Sequence, residues 1–178
     1  MNNAQDDRYP IGPFKGKDTY KKEELVALTQ EIANLPARLV NEVQGMMPNQ
    51  LDTPYRNGGW TIRQVIHHLA DSHMNAYIRM KWTLTEKTPI IKAYDEKAWA
   101  ETPEVALDPQ PSLALLKSLH AKWVTLIDSF TEEDLKKEFT HPETGKNQSL
   151  EKMIALYAWH GNHHLAHITS LKQKSGWN

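Results

Sequence analysis

Residues Ser149 to about Lys174 read as one long amphipathic helix carrying His160, His163, His164 and His167, four of the nine histidines within eight positions. Successive residues on an α-helix turn by about 100°, so residues three or four apart share a face. Met153, Ile154, Tyr157, Ile168 and Leu171 form one apolar stripe, and His160 and His164 lie on it one turn apart. Such a stripe must pack against other elements, and two imidazoles at i, i+4 on a buried face are half of a metal site. His163 points well away from the stripe and His167 sits near its edge, so this second pair reads as solvated or as backing the ligands.

The remaining chain supplies three more helices of the same kind. Leu25, Leu28, Ile32, Leu35, Leu39 and Val43 recur at spacings of three or four, which predicts a first helix from about Tyr20 to Met46. Pro36 lies inside it; a mid-helix proline costs about 3 kcal/mol and usually kinks the helix. Residues 47–60 are loop by their Pro, Asn and Gly content, and Thr61 with Gln64 then has the form of a capping box. The second helix runs on to about Lys87 with Ile62, Val65, Ile66, Leu69, His73, Ala76 and Met80 on one face. Pro89, Pro103, Pro109 and Pro111 exclude a long helix over 88–111, leaving room for a short one from Tyr94 to Ala100. Connections of this length are often functional when they lie over a site. Ser112 reads as the N-cap of a third long helix, Leu113 to Phe130. Thr131 restarts a short helix to about Phe139, His141 to Gly145 is turn-rich, and Gly176 ends the last helix. No segment reads as a strand and none repeats. The expected fold is all-α: one four-helix-bundle domain over 1–178, with 1–19 as an extended N-terminal arm, a kinked first helix and a long loop between helices two and three.

Composition narrows the functional classes. Formal net charge is −1, which predicts no affinity for nucleic acid or for an anionic membrane surface. The chain has no cysteine, so disulfides, thiolate zinc sites, iron–sulfur clusters and a cysteine nucleophile are excluded. No apolar run approaches transmembrane length and the first residues have no signal-peptide core, so a cytoplasmic location is expected.

A catalytic zinc or nickel centre typically takes three protein ligands and keeps an open position. With His160 and His164 supplying two, the second helix offers His67, His68 or His73 as the third. His73 falls in the middle of the apolar face and suits a packed, hydrogen-bonded histidine. His67 lies with Asp71 on the polar side, and His68 borders the apolar face beside Val65 and Ser72. His68 is favoured, with His67 the alternative. His120 beside Trp123 reads as a core-edge histidine and His141, before a proline, as a surface one. Trp60 and Trp159 either fill the core or line a pocket. The His-Glu-x-x-His and paired Glu-x-x-His arrangements are absent, Gly58-Gly59 is only a turn, and no serine sits in a nucleophile elbow.

Gly59-Trp-Thr-Ile-Arg-Gln-Val-Ile-His-His-Leu-Ala-Asp71 and Ala158-Trp-His-Gly-Asn-His-His-Leu-Ala-His167 together resemble the DinB-like metalloprotein superfamily, in particular its YfiT group of provisionally described metal-dependent hydrolases. The segments DTPYRNGGWT, DSHMNAYIRMK and HPETG agree with that group, and the likeness spans almost the whole chain. It implies a four-helix bundle holding one divalent metal, zinc or nickel, through three histidines, in a homodimer. One family ligand follows a Trp-Ser/Thr helix start by eight residues, which maps to His68 counted from Trp60, with His67 adjacent. The other two map to His160 and His164. Relatives in the superfamily include transferases and isomerases that use bacillithiol or mycothiol.

Two chemistries suit an open three-histidine metal acting on a small-molecule substrate. A hydrolase uses the cation to bring the pKa of a bound water from about 15.7 toward 7. A bacillithiol S-transferase uses it to hold a cosubstrate thiol as thiolate for attack on an electrophile. A metal-binding stress protein without turnover is the third reading. No dedicated general base stands out; His163, His167, Asp71 and Asn75 are the candidates for groups behind the ligands.

Overall fold

The computed structural model describes residues 6–177. In chain order its elements are α1 (Lys22–Val43), α2 (Pro48–Leu51), α3 (Ile62–Thr85), α4 (Glu96–Trp99), a 3-10 turn at Pro103–Ala106, α5 (Gln110–Asp128), α6 (Glu132–Leu135), β1 (Glu138–Thr140), β2 (Asn147–Ser149) and α7 (Leu150–Ser175). The four long helices form a bundle in which α1 packs on α5 and α7, and α3 packs on the same two, so α1 faces α3 across the core.

Capping explains where the site-bearing helices begin. At α3 the Thr61 hydroxyl accepts from the Gln64 amide at 3.1 Å, and the Gln64 side chain accepts from the Thr61 amide at 3.0 Å. At α7 the Ser149 hydroxyl accepts from the Lys152 amide, and Gly176 ends the helix at φ +65°, a left-handed conformation that glycine adopts without a Cβ clash. Two apolar clusters fill the bundle. One holds Ile32, Met80, Trp123, Met153, Ile154 and Tyr157; the other holds Leu35, Leu39, Ile62, Ile66, Leu116 and Ile168. Each large side chain buried in them contributes about 1.5–3 kcal/mol.

α1 carries Pro36 within a single helix, and the proline leaves the Ile32 carbonyl without its helical donor; that carbonyl's partner is His120 Nδ1 at 2.6 Å. Several other expectations change. α5 starts at Gln110, ahead of the expected Ser112 cap, because a proline fits the first turn where its missing N–H has no helical partner. The segment read as helix to Phe139 stops at Leu135, and a two-stranded antiparallel hairpin follows, Glu138 opposite Ser149. The His141–Gly145 turn lies between its strands. Strands of three residues are too short to show a period of two. The expected short helix before Ala100 is α4, capped by the Asp95 carboxylate, which accepts from Lys97 and Ala98.

The arm's residues 1–5 lie outside the described residues; 6–19 form turns and extended chain with no helix. This stretch is docked on α7: Trp159 Nε1 donates to the Gly12 carbonyl at 3.2 Å, and Tyr9 and Phe14 pack on His163 and Trp159. Among the described residues, no helix is long and apolar enough to cross a membrane.

Candidate metal centre

A tight turn delivers the first candidate ligand. The Tyr55 amide donates to Trp60 O at 3.0 Å and the Ile62 amide to Thr53 O at 3.2 Å, closing the 53–62 loop onto the capped start of α3. Trp60 therefore lies directly before the helix, and two turns later His68 comes beneath it, ring centroids 4.6 Å apart. From α7, His160 and His164 project one turn apart with ring centroids at 4.6 Å. Gly161 between them allows α7 to approach α1: a Cβ there would sit 2.5 Å from Leu35 Cδ2.

His68, His160 and His164 thus converge, and each offers one ring nitrogen such that all three nitrogens lie within 4.8 Å of one another. This is the one such group of three among the described residues. His68 and His164 are buried and His160 is partly exposed. His68 Nε2 stands 3.3 Å from His160 Nε2. Two nitrogens each about 2.0–2.1 Å from a tetrahedral zinc are about 3.3–3.4 Å apart, so that pair is already at ligand spacing. Burial takes the His68 imidazole down to about 4. His160 and His164 are held well below the ordinary value, by burial first and then by the surrounding imidazoles. All three are therefore neutral at neutral pH, the form that ligates. A neutral imidazole trio fits zinc or nickel, and without a carboxylate or thiolate in the set it leaves the cation's full charge in place.

The other histidines are accounted for. His67 is turned away from the cluster: its Nδ1 meets Ser112 Oγ at 2.8 Å and its Nε2 the Leu107 carbonyl at 3.3 Å. The hydroxyl read as a helix cap is thus a partner of His67. His73 is fully buried and hydrogen-bonded, as its place on the wheel predicts, and His120 is equally deep. His163 and His167 are buried, not solvated, because the N-terminal arm and Tyr55 cover them. Of the two, His167 Nδ1 reaches His164 Nδ1 at 3.4 Å. His141 is half-buried and lines a cavity of about 610 Å³ with Ser72, Arg79, Tyr94, Glu96 and Tyr157. Asn75 is bonded to the Asp71 carbonyl, and the Asp71 carboxyl is pushed up to about 6 by burial and then by Glu104. The cover from Arg8, Tyr9 and Tyr55 had no signal in the sequence, since the arm and loop carry no period.

A helical bundle with three neutral imidazoles gathered from two of its long helices is laid out as a metal-centre protein. The chain belongs to the DinB superfamily, whose sequence profile matches residues 31–168. It is 50% identical over 171 residues to YfiT of Bacillus subtilis (strain 168), named provisionally as a metal-dependent hydrolase, covering 96% of each chain. A similarly named protein of Bacillus cereus (strain 03BB102) is 53% identical over 170 residues, covering 96% of this chain and 98% of that one. The solved structure of Bacillus subtilis YfiT, described as a metal-dependent hydrolase on a provisional basis and as a four-helix bundle of unusual topology, superposes with a TM-score of 0.95 at 49% identity, covering 97% and 99% of the two chains.

Proposed function

We propose that the chain is a metal-dependent hydrolase in which His68, His160 and His164 hold one divalent cation, zinc or nickel, against a small-molecule substrate. The observation that carries this reading is the convergence of three neutral ring nitrogens within 4.8 Å, two of them at ligand spacing. When bound, the cation supplies Lewis acidity that acidifies a water molecule and polarises an acyl or phosphoryl oxygen. The protein's own groups do the rest. Trp60 roofs His68 and His164 and keeps bulk water off that side. Tyr157 packs on His160 at 5.6 Å and also lines the 610 Å³ cavity, which places room for a substrate next to the ligands. In that cavity Arg79 Nε and His141 Nδ1 are buried without a protein partner, free to bond a polar substrate. Asp71, one helical turn beyond His68, is a carboxyl able to hold or release a proton near neutral pH.

The test is an assay of zinc-loaded protein on ester, amide and phosphoester substrates, repeated after chelation and after zinc is returned, with a low-molecular-weight thiol plus an electrophile run in parallel. Hydrolysis lost on chelation and restored by zinc is the expected result. Thiol conjugation without hydrolysis would replace this reading with thiol transfer, and hydrolysis indifferent to chelation would remove the metal from it.

A further inference from the structure

We propose that His73, His120 and His167 are positioning residues: they fix which nitrogen of His160 and His164 presents a lone pair to the cluster, through hydrogen-bond chains anchored on two backbone carbonyls. The proposal rests on the reading of the cluster as a cation site.

The first chain begins at Pro36. Proline has no N–H, so the carbonyl four residues earlier, that of Ile32, lacks its helical donor. His120 Nδ1 stands 2.6 Å from that oxygen. A carbonyl only accepts, so His120 carries its proton on Nδ1 and Nε2 keeps a lone pair. His73 Nδ1 lies 2.9 Å from His120 Nε2 and must therefore donate to it. That leaves a lone pair on His73 Nε2, which lies 3.1 Å from His160 Nδ1. His160 then donates from Nδ1, and its bare Nε2 is the atom that faces His68 Nε2. Each neutral ring has one proton, so setting the first sets them all.

A shorter chain serves His164. His167 Nε2 is 3.3 Å from the Arg8 carbonyl and so carries the proton. His167 Nδ1 accepts from His164 Nδ1 at 3.4 Å, which leaves the lone pair on His164 Nε2. Both chains are enclosed. His73 is held edge-on by Trp123 and Tyr157, and His167 is stacked under Tyr55 at 3.9 Å. An imidazole whose other nitrogen donates to an acceptor is a better ligand, and loss of such a partner typically lowers metal affinity 10–100-fold.

Nitrogen NMR of chelator-treated, 15N-histidine-labelled protein reads the tautomers directly. The expected result is a proton on Nδ1 of His73, His120, His160 and His164 and on Nε2 of His167. A proton on Nε2 of His160, or a mixture there, overturns the proposal. Zinc affinity is then measured by competition with a chromophoric chelator. His73→Leu cuts the chain and should weaken zinc binding by about 10–100-fold, with His160 becoming a tautomer mixture. His73→Gln places an acceptor oxygen near the former Nε2 and should recover most of the affinity. Wild-type affinity in a folded His73→Leu protein overturns the proposal, and if that variant does not fold, the wild-type tautomers decide. A wild-type protein that binds no zinc removes the cation site and the proposal with it. Zinc binding with the wrong tautomers removes the relay alone.

Discussion

Acid should destabilise the metal-free protein well above the carboxylate range, because its core is built around neutral imidazoles. His68 and His120 ionise in the folded chain at about 4, driven down by burial, against about 6.5 for an unhindered histidine. Their contribution to stability is complete above about pH 6.5. It is lost as the pH falls toward 4, since the unfolded chain takes up those protons first. Linkage gives a loss of roughly 2 kcal/mol per ring at pH 5, hence roughly 4 kcal/mol for the two. His73, His160 and His164 are displaced in the same direction. Asp71 opposes them: its carboxyl is raised to about 6, so the folded chain holds a proton that the unfolded chain has released. Allowing for its partial exposure, that returns at most about 1 kcal/mol at pH 5. For a chain of this size 1 kcal/mol moves Tm by about 2–4 °C. His68, His120 and Asp71 alone net about 3 kcal/mol, which lowers Tm by roughly 6–12 °C between pH 7 and pH 5, and the other buried imidazoles add to that fall. Thermal melts of chelator-treated protein, followed by circular dichroism at pH 7, 6 and 5, measure it. An unchanged Tm across that range would show that the imidazoles are solvated in the folded state and would refute the buried-cluster geometry.

Other substitutions test the ligand assignment and the helix contact beneath it. His160→Ala should abolish stoichiometric zinc binding in equilibrium dialysis, while His67→Ala and His141→Ala should retain it, because His67 is bonded to Ser112 and Leu107 and His141 lies in the neighbouring cavity. Retention in all three would remove the site from these residues. Gly161→Ala would drive a methyl to 2.5 Å from Leu35 Cδ2. Overpacking costs about 1–3 kcal/mol and the gain in helix propensity returns about 1, so denaturant melts should show a net loss of up to about 2 kcal/mol, and a raised midpoint would contradict the close approach of α1 and α7.

What could be read in advance, and what could not, divides along a physical line. The long helices were legible because burial on one face imposes a period of three to four residues, and the starts of α3 and α7 because capping is a local bargain between a hydroxyl and an amide three residues on. His160 and His164 were legible for the same reason, as neighbours on one face of one helix. The choice between His67 and His68 rested on about 100° of rotation, and that rotation is set by how α3 seats against α5 and α7. Ser112 looked like a cap from its neighbours alone, while its partner, His67, is 45 residues away in sequence.

Pro36 shows the division most sharply. Its local effect, a missing donor inside a helix, follows from covalent chemistry and needs no structure. The identity of the group that meets the freed carbonyl does not, because His120 is 88 residues distant and lies on a different helix. A buried acceptor left unpaired would cost about 1–3 kcal/mol, so some donor had to be brought to it. Supplying that donor from an imidazole has a consequence that a hydroxyl or an ammonium would not have. It fixes a proton on one ring nitrogen and so passes a direction to the next ring, then to the next, until it reaches His160. On the proposed reading, a proline that looks like a defect in α1 thereby sets the tautomer of the candidate ligand His160 on α7.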